Sequence, residues 1–179
     1  MVSPIAWGMW RFQGDDVKAA RERVEAAFEA GITLFDTADI YGAGTTAGFG
    51  SAEALLGRVF ADAPHLRGKM VLASKGGIIV GTPYDQSAGY IASAIDASLK
   101  RLGVDHIDLW QVHRPDILTH PMELAKALET ARAAGKIGAI GVSNYTIAQT
   151  QALMRYLDSP LVSIQPELSA LTLDPIVDG

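Results

Sequence analysis

Four side chains of complementary acid–base character stand directly behind apolar runs of the chain: Asp36 with Tyr41 five residues on, Lys75, and His113. Each alone has a plain structural role, because polar residues at strand ends commonly satisfy loop backbone groups. Placed together on one rim, an anion, a phenol, an ammonium and an imidazole make an acid–base set. Such a set suits a reaction in which negative charge develops on an oxygen that must receive a proton and hydrogen-bond donors. A free phenol is a sluggish acid at neutral pH, and an ammonium beside it favours the phenolate. Asp36 is placed to keep Lys75 charged and aimed, and His113 to donate to the same oxygen. Ser143, Asn144 and Gln165 end two further runs, where hydroxyl and amide groups can grip a carboxamide. These residues alone do not single out one reaction. Lys75 as a Schiff-base nucleophile of an aldolase or lyase, and a non-catalytic module that binds nucleotide or a partner chain, stay open beside carbonyl reduction. Asp36 opposes the Schiff-base reading, which needs an unprotonated lysine. A metal site at His113, Asp116 and His120 lacks helical or hairpin ligand spacing.

These residues require a scaffold that delivers strand ends to one rim. Apolar runs at Ile32 to Phe35, Met70 to Ser74, Ile107 to Val112, Ile137 to Val142 and Leu161 to Gln165 read as buried parallel strands, with Pro4 to Trp10 as a first. Between them, Val17 to Ala30, Ala52 to Phe60, Tyr90 to Leu102, Met122 to Ala134 and Ile147 to Leu157 carry apolar residues at helical spacing. Gly31, Gly103 and Gly135 follow three of these helices where a left-handed cap is expected. Strict βα alternation allows a doubly wound sheet or a (β/α)8 barrel. Chemistry gathered at the C-terminal ends of strands favours the barrel.

One motif argues the other way and fails on context. Gly42-Ala43-Gly44-Thr45-Thr46-Ala47 matches a dinucleotide fingerprint, with Asp62 twenty positions after Gly42. Its glycines should end a strand and open a helix at once, yet Asp36 to Tyr41 intervene and the helix starts only near Ser51. The segment reads instead as a loop at the mouth of a site.

Composition agrees with one soluble, cytoplasmic domain over residues 1–179. Apolar residues make up 49%, charged residues 20%, and the net charge is −5, without a basic cluster to attract nucleic acid or an anionic membrane. There is no cysteine, which removes disulfide and thiolate chemistry. No signal peptide and no apolar run of membrane-spanning length is read.

The sequence resembles the aldo-keto reductase family. The resemblance rests on Phe35-Asp36-Thr37-Ala38-Asp39-Ile40-Tyr41-Gly42, Leu72-Ala73-Ser74-Lys75, Val112-His113-Arg114-Pro115-Asp116, Gly141-Val142-Ser143-Asn144-Tyr145 and Ile164-Gln165-Pro166-Glu167, in that order along the chain. It implies a (β/α)8 barrel that reduces aldehydes or ketones with NADPH, NADH being possible. It further implies Tyr41 as proton donor, Lys75 and Asp36 as its tuning pair, and His113 orienting the substrate carbonyl. Ser143, Asn144 and Gln165, with Asp36, Gly8, Met9 and Trp10, would line the nicotinamide; Trp10 has the alternative of a core aromatic. A full barrel takes about 250 residues, so six strands are expected to leave it two βα units short, with unpaired edges prone to self-association.

Overall fold

Short apolar runs separated by amphipathic segments can bury both faces of a strand only beneath a layer of helices. The computed structural model, which describes residues 1–82 and 84–177, shows this arrangement. Among the described residues six strands form: β1 (Ala6–Gly8), β2 (Leu34–Asp36), β3 (Val71–Gly76), β4 (Ile107–Val112), β5 (Ile137–Ser143) and β6 (Leu161–Gln165). The helices between them are α1 (Val17–Glu29), α2 (Ser51–Asp62), α3 (Ala88–Leu102), α4 (Pro121–Ala133) and α5 (Ile147–Met154). Every strand pairs parallel with the next in sequence, in the order β1-β2-β3-β4-β5-β6. A doubly wound sheet reverses its strand order at a switch point. This one never reverses, and sequential order with a helix after each strand is the barrel plan.

The helices form where capping chemistry starts and stops them. Asp16 accepts from the Ala19 amide at the head of α1, Ser87 from Tyr90 at α3, and Thr146 with Gln149 completes a capping box at α5. Gly103 closes α3 at φ 65°, a left-handed position that favours glycine, and its amide bonds Leu99. Gly57 has a different duty. A Cβ there would lie 2.2 Å from the Arg101 carbonyl oxygen, so its bareness lets α2 and α3 cross closely.

The observed bounds narrow the first strand, expected over Pro4 to Trp10, and end α5 at Met154, three residues early. A 3-10 turn at Pro64–Lys69 and a short α6 at Asp174–Val177 carried no periodic apolar signal. Proline at the start of that turn fixes φ while its missing N–H costs nothing there.

Phe35, Leu72, Trp110 and Ile140 face the helices and are fully buried in one core with Val24, Leu56, Ile95 and Leu128. The opposite face carries Ile107 and Leu109 toward the strand starts and turns polar toward the strand ends. Lys75, Gln111 and Gly141 stand in register on β3, β4 and β5, and Ser163 of β6 continues the row. No helix of the described residues is long and apolar enough to cross a membrane.

Candidate active site

Asp36 is the last residue of β2, and the chain beyond it stays tied to the neighbouring strands. The Met9 amide donates to the Asp36 carbonyl, Thr37 to Ala73 and Asp39 to Lys75. Tyr41 then sits in a tight turn, its amide bonded to Ala38. On β3 the Lys75 side chain is 1% exposed. Its ammonium donates to Asp36 Oδ2 at 2.5 Å and to the Thr37 carbonyl at 3.1 Å, and lies 5.1 Å from the centre of the Tyr41 ring. His113 follows β4, its amide bonded to Gly76, and its ring meets that of Tyr41 edge-on at 6.0 Å. The four residues read from the sequence therefore meet at one place.

Burial decides the electrostatics. A dry ammonium is costly unless a charge and hydrogen bonds compensate it, and Asp36 with Thr37 provides both. The contact also opposes the Schiff-base reading, because an ammonium donating to a carboxylate has no lone pair with which to attack. His113 is pushed down to about 3, first by burial and then by the positive charges of Lys75 and Arg114. It is neutral at physiological pH and offers one N–H rather than two. Its Nδ1 is buried without a partner among the described residues.

Ser143, Asn144 and Gln165 form a neighbouring polar shelf. Asn144 holds φ 59°, an uncommon value outside glycine. That turn lets its amide nitrogen donate to the His113 carbonyl at 3.1 Å and to Ser143 Oγ at 2.9 Å. Both the Ser143 hydroxyl and the Asn144 backbone amide donate to the Gln165 carbonyl. The Gln165 side-chain nitrogen donates to Asp36 Oδ2 at 3.3 Å. Asn144 Oδ1 and Gln165 Oε1 accept no hydrogen bond among the described residues, so they are available to the N–H groups of a carboxamide. The first-strand loop is mixed. Trp10 is 66% exposed and so is no core aromatic, Gly8 has open space where a Cβ would stand, and the Met9 side chain is fully enclosed in the core.

Two groups escaped the sequence reading. Gln111 is buried, donates to Asp36 Oδ1 at 3.1 Å and accepts from Ser163 Oγ at 3.2 Å. Its signal was present: a polar residue inside an apolar run, two positions before His113 and so on the same strand face. The other group lies behind the site. Glu53, fully buried, accepts from Ser74 Oγ and from Arg101, and Asp39 lies close enough to feel both charges. Glu53 lies on the flank of the α2 apolar face, three residues before Leu56 and seven before Phe60, and the tertiary approach of α3 supplies the partner its charge needs.

Asp39 is pushed up to about 8, mainly by burial and then by the negative charge of Glu53. The folded carboxyl thus keeps its proton where an unfolded one, near 3.8, has lost it. Stability from that proton is complete below about pH 3.8 and drains away as pH rises through 8. Asp39→Asn, which cannot ionise, is expected to gain stability relative to the wild type progressively across this window. Thermal unfolding at pH 4, 6 and 8 measures it, and parallel melting curves for the two proteins would remove Asp39 as the titrating group.

A model described as the aldo/keto reductase family matches residues 4–177. The chain is 56% identical over 180 residues to a 6-dehydroglucose reductase of Novosphingobium aromaticivorans, covering 99% of this chain and 59% of that protein. A 6-dehydroglucose reductase of Agrobacterium fabrum is 39% identical over 191 residues, covering 99% and 62%. The solved structure of a glycerol dehydrogenase from Gluconobacter oxydans superposes with a TM-score of 0.83 at 32% identity, over 98% of this chain and 55% of that one. The chain thus spans about three fifths of the length of the curated relatives it matches.

Proposed function

This chain belongs to the aldo/keto reductase family, and on that premise we propose that it reduces an aldehyde or ketone to an alcohol at the Asp36–Tyr41–Lys75–His113 cluster, with NADPH as the reductant. The observation that carries the reading is the Lys75 ammonium, 1% exposed, held at 2.5 Å by Asp36 and facing the Tyr41 ring. An ordinary structural ion pair has no need of a phenol and a neutral imidazole beside it.

A nicotinamide coenzyme supplies hydride to the carbonyl carbon when bound. The residues present fit its carboxamide, since Asn144 Oδ1 and Gln165 Oε1 are open acceptors and the Ser143 hydroxyl stands beside them. As charge grows on the substrate oxygen, Tyr41 gives up its phenolic proton to it. Lys75 stabilises the negative charge left on the phenol, which is where an adjacent cation matters most. Asp36 holds Lys75 in that position. His113, neutral, donates its one N–H to the substrate oxygen without competing as an acid.

The name of the most identical relative described above, 6-dehydroglucose reductase, suggests a sugar bearing an aldehyde at carbon 6, reduced to the parent alcohol. We place the reaction in the cytoplasm and prefer NADPH to NADH. The test is direct. Purified protein is mixed with NADPH or NADH and either glucose 6-aldehyde or an aromatic aldehyde, and coenzyme absorbance is followed. One coenzyme oxidised per alcohol formed, fastest with the sugar aldehyde, is expected. Alcohol formation with neither substrate would overturn the reading.

A further inference from the structure

We propose that Gln111 is a positioning residue for the reaction, fixing the second oxygen of Asp36 so that the carboxylate presents its first oxygen to Lys75. The inference rests on the reading of the cluster as a carbonyl-reducing site. Asp36 is 5% exposed, so its carboxylate must find its hydrogen bonds within the protein. Oδ2 receives the Lys75 ammonium at 2.5 Å and the Gln165 amide at 3.3 Å. Oδ1 receives Gln111 Nε2 at 3.1 Å, its one side-chain donor among the described residues. With that bond made, rotation of the carboxylate about its last torsion costs a buried hydrogen bond. Without it, either oxygen can turn to the lysine.

Gln111 is itself held. It is 2% exposed, and its carbonyl oxygen accepts from Ser163 Oγ at 3.2 Å; flipping the amide would lose the bond to Asp36 and set that oxygen against the carboxylate. Space for it comes from Gly141, its register partner on β5, where a Cβ would crowd Gln111 Cγ at 3.0 Å and Ser163 Cβ at 3.1 Å. Lys75, Gln111 and Ser163 are thereby one cross-strand row, with Gly141 leaving the room that Gln111 fills. An apolar residue at 111 would have filled this interior as well, so packing alone does not call for the amide.

Two isosteric variants separate positioning from packing. Gln111→Met keeps the length and removes the donor. It is expected to lower kcat about ten- to hundred-fold, the worth of one buried donor to a charged acceptor, with KM within a few-fold. Gln111→Glu can donate to Asp36 only while protonated, and once ionised it repels it. Its kcat relative to wild type is therefore expected to fall steeply as pH rises, which a purely packing role would not produce. A second readout is independent of turnover. Trace acetylation followed by mass spectrometry is expected to label Lys75 several-fold faster in Gln111→Met than in wild type, with exposed Lys18 unchanged as the internal standard. Equal Lys75 labelling in the two proteins, or a Gln111→Met enzyme with wild-type kcat, would overturn the inference. Faster Lys75 labelling in a protein that reduces no carbonyl would leave the positioning of the ion pair supported and defeat the functional reading instead.

Discussion

Tyr41→Phe is expected to lose carbonyl reduction by roughly 10²–10⁴-fold while still binding coenzyme, the usual worth of a positioned acid. The substitution is a clean one here. The ring that Lys75 faces at 5.1 Å and His113 meets at 6.0 Å remains in place, so both neighbours keep their packing. The hydroxyl that is removed makes no hydrogen bond among the described residues, hence its loss opens no unsatisfied partner and the melting temperature should move little. Loss of rate without loss of fold would place the missing proton on this one oxygen. Coenzyme binding is read by nicotinamide fluorescence and turnover by absorbance. Turnover within a few-fold of the wild type would show that the proton comes from elsewhere, and His113 would be the next residue to test.

Much of this site was legible because a parallel strand announces itself twice. Its apolar run marks where it lies, and the polar residue that ends it marks the rim. Asp36, Lys75, His113 and Ser143 all stand out by that rule, and side-chain contacts across the strand ends bring them together: Lys75 bonds Asp36, and Asn144 bridges His113 and Ser143. Tyr41 lies outside a strand, and its proximity to Asp36 in sequence, together with the family resemblance, kept it in view. The rule has a blind side, however. It treats strand interiors as apolar filling, and so passed over Gln111, whose two bonds run sideways to β2 and β6. It says nothing of helices, and so it missed Glu53. That residue is a charge on the flank of the α2 apolar face, satisfied by Arg101 of α3 and Ser74 of β3. Sequence separations of 21 and 48 residues join those partners, and no local pattern encodes them. Met9 shows the converse. The resemblance implied a place for it beside the nicotinamide, whereas its side chain turns inward and is fully buried in the core.

Lys75→Met should be the most damaging single change, because it acts on stability and on chemistry together. The buried pair itself contributes little net stability, since bringing two charges out of water offsets most of their attraction. Breaking it is another matter. With the ammonium gone, the Asp36 carboxylate, 5% exposed in the intact protein, keeps only the amides of Gln111 and Gln165 as side-chain donors among the described residues. Removing one partner of such a pair costs about 3–5 kcal/mol, a large share of the 5–15 kcal/mol that typically holds a domain together. Activity should fall further than in Tyr41→Phe, because the phenol loses the cation that stabilises its charge as the proton leaves. The double variant Asp36→Asn/Lys75→Met tells the two effects apart. Neutralising the stranded carboxylate should restore most of the lost stability, as read by denaturant unfolding. It should restore none of the turnover. A double variant that regained activity along with its fold would show that Lys75 matters only as Asp36's counter-ion, and the tuning of Tyr41 would have to be assigned to another group.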